Sequence, residues 1–423
     1  MAELDRILRQ YTDPHTGVIH GATFVAVDNK GNDIYRKSFG QRKVNSNNGP
    51  ALTPDTVTWI ASLTKLTTSV AAMQVVERGL IGLDDDVRKV IPQLQNLKVI
   101  LGFEGEGDQD PEINVDAQKG GPILEDVKGP ITLRQLLTHS SGFCYDLRHP
   151  LLVKYSEWIG RQENMFSGTI EGLYHPLVFQ PGTSWQYGPG LDWVGQVIEK
   201  LTGMNYDEYQ QINIWEPLGA KDTTFYPAKS GVTEGDIHEL AFRAEGEGPQ
   251  NLKAGSSPWK FACRDALGGA GLFSTANDYS KLLSALLTGG GPLLSEPSIG
   301  ELFSPQLGVS SMAALREFVI GEGPEGGKAW LYTQSPEEWK DVMEISHCLC
   351  GLSNAEDVAG RRRKNTINWD GLPNLVWFID RESGVAATLF TQTMPMDDPP
   401  LRQLVLDLET ALYTILAENN SGK

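Results

Sequence analysis

Ser62-Leu-Thr-Lys65 places a hydroxyl and a primary amine three residues apart at the start of a run with helical periodicity. Residues i and i+3 share a helix face, so the amine comes within reach of the serine oxygen, the wiring of an activated nucleophile. Downstream, Leu66, Val70, Met73 and Val75 or Val76 recur at helical spacing and Gly79 is placed to stop the helix. That pattern predicts a long amphipathic helix with Lys65 against its buried side. An amine pressed against apolar packing loses the hydration its charged form needs, which suits it to take a proton from a serine. A second S-x-x-K, Ser257-Pro-Trp-Lys260, sits in a Gly/Ser-rich run with proline directly after the serine and reads as a loop. The alternative for Ser62 is a helix-capping serine followed by an ordinary surface lysine.

An acyl-transfer site also needs a second proton-transfer group and backbone donors for the oxyanion. Tyr187, in Trp185-Gln-Tyr-Gly-Pro-Gly-Leu-Asp-Trp193, is the candidate for the first, because a Gly/Pro turn at a helix entrance lets its phenol project into a cleft. Standing alone, it would read as a core or surface tyrosine. His139 lies in a helix segment opened by a capping-box spacing at Thr132 and Gln135, and reads as a structural hydrogen-bonding residue. A Ser-His-Asp hydrolase is disfavoured because G-x-S-x-G is absent, Gly351-Leu-Ser-Asn-Ala355 being a near miss.

The elements that must position these residues are legible in outline. Residues 1–13 predict an amphipathic helix with Leu4, Ile7, Leu8 and Tyr11 on one face. Two β-rich runs around Asp28-Asn-Lys-Gly31 predict a hairpin, and residues 374–380 and 385–393 predict another, followed by a terminal helix. One antiparallel sheet assembled from both ends, with a mainly helical insertion, is therefore expected. The domain expectation is 1–83 with 291–423 for the sheet domain and 84–290 for the helical one. Within the insertion, Leu191, Val194, Ile198 and Leu201 share one helix face between Pro189 and Gly203. Three Gly-rich stretches, 102–121, 244–257 and 321–327, read as lids or solvent loops.

Composition narrows the function classes. The formal charge is 36 − 54 = −18, which repels a phosphate backbone and argues against nucleic-acid or anionic-membrane binding. The one basic run, Arg361-Arg-Arg-Lys364, reads as a solvated loop. The 4 cysteines are too few and scattered for a disulfide scaffold. His347-Cys348-Leu-Cys350 lacks the companion group a tetrahedral metal site needs, so neither metal nor cofactor is expected. The opening helix is unlike a secretion signal and no run suits a bilayer span, so a reduced, cytoplasmic protein is expected.

Ser62-x-x-Lys65, residues 137–143 (LTHSSGF), the Tyr187 turn, residues 268–275 (GGAGLFST) and Trp369-Asp-Gly-Leu-Pro-Asn374 occur together and in order. With that motif set the chain resembles the serine β-lactamase and penicillin-binding-protein superfamily from about residue 15 to about residue 415. Within it, the chain resembles the fungal transesterases, such as the lovastatin-pathway acyltransferase. The resemblance implies an α/β (α+β) fold, an antiparallel sheet flanked by helices plus a mainly helical domain, with the site in the cleft between them. It implies that Ser62 is acylated and that Lys65 and Tyr187 share the acid and base work. The amide of Ser62 and one near Gly371 or Leu372 would form the oxyanion hole.

Two positions depart from the β-lactamase pattern. Pro189 stands where an amide-bearing Asn is usual, and Trp369-Asp370-Gly371 replaces the Lys-Thr-Gly-like triad whose cation holds a substrate carboxylate. A site with an Asp there favours neutral esters or thioesters over anionic β-lactams, and Trp369 is expected to line an apolar acyl or alcohol pocket. The expected reaction is acyl transfer from an ester or thioester donor, free or carrier-protein-bound, through Ser62 to a hydroxyl of a secondary metabolite such as a polyketide. An esterase would use the same residues with water as acceptor. A β-lactamase, a cell-wall peptidase and a non-catalytic ligand-binding homologue rank below these. A monomer or a homodimer fits equally well.

Overall fold

The computed structural model describes residues 1–44, 49–105, 120–244, 251–320 and 345–421. Its largest sheet has seven strands, in the spatial order Asp33–Gly40, Gly21–Asp28, Val385–Phe390, Leu375–Asp380, Ile367–Gly371, Leu352–Asn354 and Ile345–His347. Every neighbouring pair in it is antiparallel. The first and last thirds of the chain meet at its centre, where Phe24 stands opposite Leu389 and Ala26 opposite Ala387. Both hairpins expected from the sequence are present. The fold is α/β with antiparallel pairing, as the residue pattern implies.

Alternation along the central strands feeds two cores, because successive side chains point to opposite faces. Phe24, Ala26, Val376, Phe378 and Ala387 pack against the two terminal helices, Ala2–Tyr11 and Pro399–Ser421, through Leu4, Leu8, Leu404 and Leu408. Val25, Val27, Trp377, Ile379 and Ala386 face the larger core, which continues into the helices Thr64–Glu77, Gly190–Thr202 and Ala276–Leu287. Strands buried on both faces read as unbroken apolar runs, and all six residues of Leu375–Asp380 are buried.

The helix Thr64–Glu77 differs from the expected amphipathic one. Its residues Thr64 to Val75 are all buried, so it has no solvent face over that length. The polar members are satisfied inside: Gln210 donates to Thr67, Thr68 to Gly268 O, Ser69 to Leu349 O and Gln74 to Asn213 O. A helix wrapped on all sides by its own protein can carry Thr and Ser where a surface helix would place charges.

Arg361-Arg-Arg-Lys364 also differs from the solvated loop expected. Arg362 is 1 % exposed and donates twice to Glu409 of the terminal helix, at 2.9 and 3.0 Å. A guanidinium leaves water only when a carboxylate meets it in fork geometry, and Glu409 is 47 residues away in sequence. Of the Gly-rich stretches, 106–119, 245–250 and 321–327 lie outside the described residues. The ends of the first form a hairpin, Lys98–Phe103 with Pro122–Asp126, and those of the second form Ala241–Arg243 with Leu252–Ala254. No helix among the described residues is long and apolar enough to cross a membrane.

Candidate active site

Ser62 sits in a tight turn, Ala61–Leu63, between the short strand Thr58–Trp59 and the buried helix. Thr64 Oγ1 donates to Ala61 O at 2.6 Å and accepts from Leu272 N at 3.2 Å, which ties the turn to the neighbouring chain. Ala61 has φ +44°, a left-handed conformation that costs a non-glycine residue about 1–2 kcal/mol. The N-cap of the buried helix is Leu63, so Ser62 does not occupy the capping position.

Lys65 is 3 % exposed, and its amino nitrogen lies within hydrogen-bond distance of three acceptors. It donates to Ser62 Oγ at 3.2 Å, Tyr145 Oη at 3.2 Å and Gly269 O at 2.6 Å. Tyr187 Oη lies 2.6 Å from Ser62 Oγ, and Lys65 Nζ stands 4.7 Å from the centre of the Tyr187 ring. The serine oxygen is thus held between a phenol and an amine, either of which can exchange a proton with it.

The Tyr187 ring is fixed by neighbours distant in sequence. His139 and Tyr145 meet it edge-on at 4.8 and 5.3 Å, and Trp369 lies tilted against it at 5.7 Å. The backbone on either side of it is anchored where Gln186 N donates to His139 O and Gly188 N to His139 Nδ1. Gly188 is required by close approach, since a Cβ there would stand 2.4 Å from Phe143 O. His139 lies past the end of its helix, Leu133–Leu137, whose capping box at Thr132 and Gln135 is formed. It is 2 % exposed, and burial, His347 and Lys65 hold its imidazole well below the usual range, so it is a neutral acceptor for the Gly188 amide.

Two groups beside Lys65 were not signalled by spacing. Tyr145 accepts from Lys65 and donates to Asp192 Oδ2 at 3.5 Å. Asp192 Oδ1 accepts from Gly269 N at 2.8 Å, so one carboxylate ties together the tyrosine and the segment that receives the lysine. Burial raises Asp192 to about 6, against the pull of Lys65. The sequence clue was an acidic residue in the first turn of the helix Gly190–Thr202, a place that normally faces water but here is buried.

These groups open into a cavity of about 150 Å³. Its walls include Trp59, Leu147, Met165, Phe166, Trp259, Leu372 and Met396, with Ser62, Tyr145, Tyr187, Arg148, Asp192 and Asp370 as the polar positions. Leu372 therefore lines the cavity. Gly371 backs onto the Ser62 turn, where a Cβ would stand 2.9 Å from Ile60 O, so strand and turn meet backbone to backbone. Trp369 does not line the cavity as expected. It is 4 % exposed and stacks on His139 at 5.9 Å, because strand alternation turns it to the face opposite Asp370. His347 and Cys348 form no metal cluster, and no group of three or more possible metal ligands occurs among the described residues.

A family model described as Beta-lactamase matches residues 4–411. A lovastatin esterase of Penicillium rubens is 34% identical over 413 residues, covering 94% of this chain and 95% of its own. A monacolin J acid methylbutanoyltransferase of Aspergillus terreus is 34% identical over 404 residues, covering 93% and 92%. Among solved structures, unliganded simvastatin synthase (LovD) of Aspergillus terreus superposes with a TM-score of 0.84 at 32% identity, covering 98% of each chain.

Proposed function

The chain belongs to the beta-lactamase family, in its serine acyltransferase and esterase branch, and from that premise we propose that Ser62 carries an acyl group between donor and acceptor. The observation that carries the reading is the Ser62 oxygen, 2.6 Å from the Tyr187 phenol and 3.2 Å from the Lys65 amine, at the edge of an apolar cavity.

In the first half-reaction Ser62 Oγ attacks the carbonyl carbon of an ester or thioester, and its proton passes to the Lys65 and Tyr187 pair. The oxyanion is received by the Ser62 amide and an amide near Gly371 or Leu372. Collapse of the tetrahedral intermediate expels an alcohol or thiol, which takes the proton, and leaves the acyl-enzyme. In the second half-reaction an acceptor hydroxyl gives its proton to the same pair and attacks the acyl carbon, restoring free Ser62. Tyr145 and Asp192 hold the lysine on the serine's side throughout.

The acceptor we propose is a hydroxylated secondary metabolite and the donor a small acyl thioester, free or carrier-bound. The relative named a methylbutanoyltransferase and the apolar cavity support this. Hydrolysis is the second reading, favoured by an equally similar relative named an esterase. We take 1–83 with 291–423 and 84–290 as the working sheet and helical domains, both of which contribute walls to the cavity. A cytoplasmic location and a monomeric or homodimeric state complete the reading.

Initial-rate kinetics with a butanoyl thioester and varied alcohol acceptors test it. Transfer through an acyl-enzyme gives parallel double-reciprocal lines and an ester product. Intersecting lines would overturn the two-step route, and free butanoate at every acceptor concentration would establish the esterase.

A further inference from the structure

The strand Ile367–Gly371 delivers to the cavity a carboxyl group that the two-step reaction leaves unused. Asp370 is 2 % exposed and lines the cavity together with Ser62 and Tyr187. Neither of its oxygens has a hydrogen-bond partner among the described residues. A buried polar group without a partner is costly, and each such group in a folded protein calls for an explanation. Here the opening beside the nucleophile supplies one, since a molecule entering the cavity can satisfy what the protein leaves unmet.

The chemistry of that partner follows from the surroundings. Burial pushes the Asp370 carboxyl up to about 8, with Asp397 acting in the same direction and Arg148 and Lys65 opposing it. Near neutrality it is therefore a protonated acid, which offers one donor and free acceptor lone pairs. A hydroxyl is the complementary neutral group, because it too donates and accepts. An ammonium fits poorly, since Arg148 lines the same cavity and Lys65 is close enough to act on the carboxyl. A carboxylate ligand could take the Asp370 proton in a hydrogen bond but has no donor for the carboxyl's acceptor lone pairs, whereas a hydroxyl meets both. The apolar walls favour a carbon skeleton around the hydroxyl.

We propose that Asp370 is a specificity-determining residue that binds a non-reacting hydroxyl of the substrate, carried either on the acyl acceptor or on the acyl chain. The inference rests on the acyl-transfer reading above and adds a second point of recognition beside the reacting centre. A site built to hydrogen-bond a hydroxyl rejects the analogue that lacks it, because its own buried group is then left unpaired.

Two substrate pairs locate the hydroxyl. In the first, a butanoyl thioester is offered cyclohexanol or the cyclohexane-1,2-, 1,3- and 1,4-diols as acceptors. In the second, butanoyl and 3-hydroxybutanoyl thioesters compete as donors. The wild-type protein is expected to prefer the hydroxylated member of one pair by about tenfold or more in kcat/KM. Asp370→Asn, which still donates and accepts, retains the preference, and both Asp370→Leu and Asp370→Ala reduce it to within about twofold. Each result is a ratio of two substrates on one preparation, so partial loss of folded protein cancels. Equal treatment of both pairs by the wild type, or a preference that survives Asp370→Leu or Asp370→Ala, would overturn the proposal. If acylated Ser62 forms normally while these ratios are flat, only the role of Asp370 fails. If no acyl-enzyme forms on any donor, the acyl-transfer reading fails with it.

Discussion

Replacing Asp370 by Asn should change how stability depends on pH. The folded protein raises this carboxyl from 3.8 to about 8, chiefly through burial, so it holds a proton that the unfolded chain has already released. The group's contribution to stability is fully present below the unfolded value and is lost as pH rises toward the folded one. Each pH unit in that window is worth at most about 1.4 kcal/mol, which amounts to about 4 kcal/mol between pH 4 and pH 7 for a group displaced this far. Asparagine does not titrate, so the stability of Asp370→Asn relative to wild type should climb between pH 5 and 8 and level off above about 8.5. Urea unfolding of both proteins at half-unit pH intervals measures this, and every other titrating group cancels in the difference. A difference that stays constant within about 0.5 kcal/mol across the range would refute the reasoning, because it would mean that Asp370 is ionised in the folded state.

Lys65→Ala and Tyr187→Phe should each lower kcat/KM by about a hundredfold or more, the scale of losing a general acid or base, while thermal unfolding reports an intact fold. Tyr145→Phe removes one acceptor from Lys65 and its link to Asp192, and should cost about tenfold in kcat with KM little changed, as steady-state kinetics would read. Glu409→Ala strands the buried Arg362 guanidinium and should destabilise by about 3–5 kcal/mol, more than Arg362→Met, in denaturant titrations. Ala61→Gly relieves the left-handed residue before Ser62 and should raise stability by about 0.5–1 kcal/mol in the same titrations.

What was legible in the sequence was local. The i,i+3 pair Ser62 and Lys65, the capping box at Thr132, the hairpin turn at Asp28 to Gly31 and the Gly203 helix stop each depend on residues within a few positions of one another. The misreadings came from contacts that no local pattern encodes. Apolar residues at helical spacing suggested one apolar face along Thr64–Glu77, but they are spread around the whole helix and the packed neighbours bury its polar members as well. Arg362 looked solvated because Glu409 lies on a helix 47 residues further on. Tyr145 and Asp192 join Lys65 only because the loop after the helix Leu133–Leu137 meets the start of Gly190–Thr202 beside the lysine, with Gly269 bonded to both Lys65 and Asp192. Asp370 lines the cavity as expected and Trp369 does not, because strand alternation turns the two to opposite faces, with the phase set by the pairing of Trp369 with Trp377.

The central claim is that Ser62 becomes acylated. Intact-protein mass spectrometry after incubation with a butanoyl thioester tests it most directly, with Ser62→Ala treated in parallel and the modified peptide sequenced. The account predicts a single butanoyl adduct on Ser62 that is absent from Ser62→Ala and is discharged when an alcohol acceptor is added. An adduct on another residue, or turnover by Ser62→Ala at the wild-type rate, would contradict it.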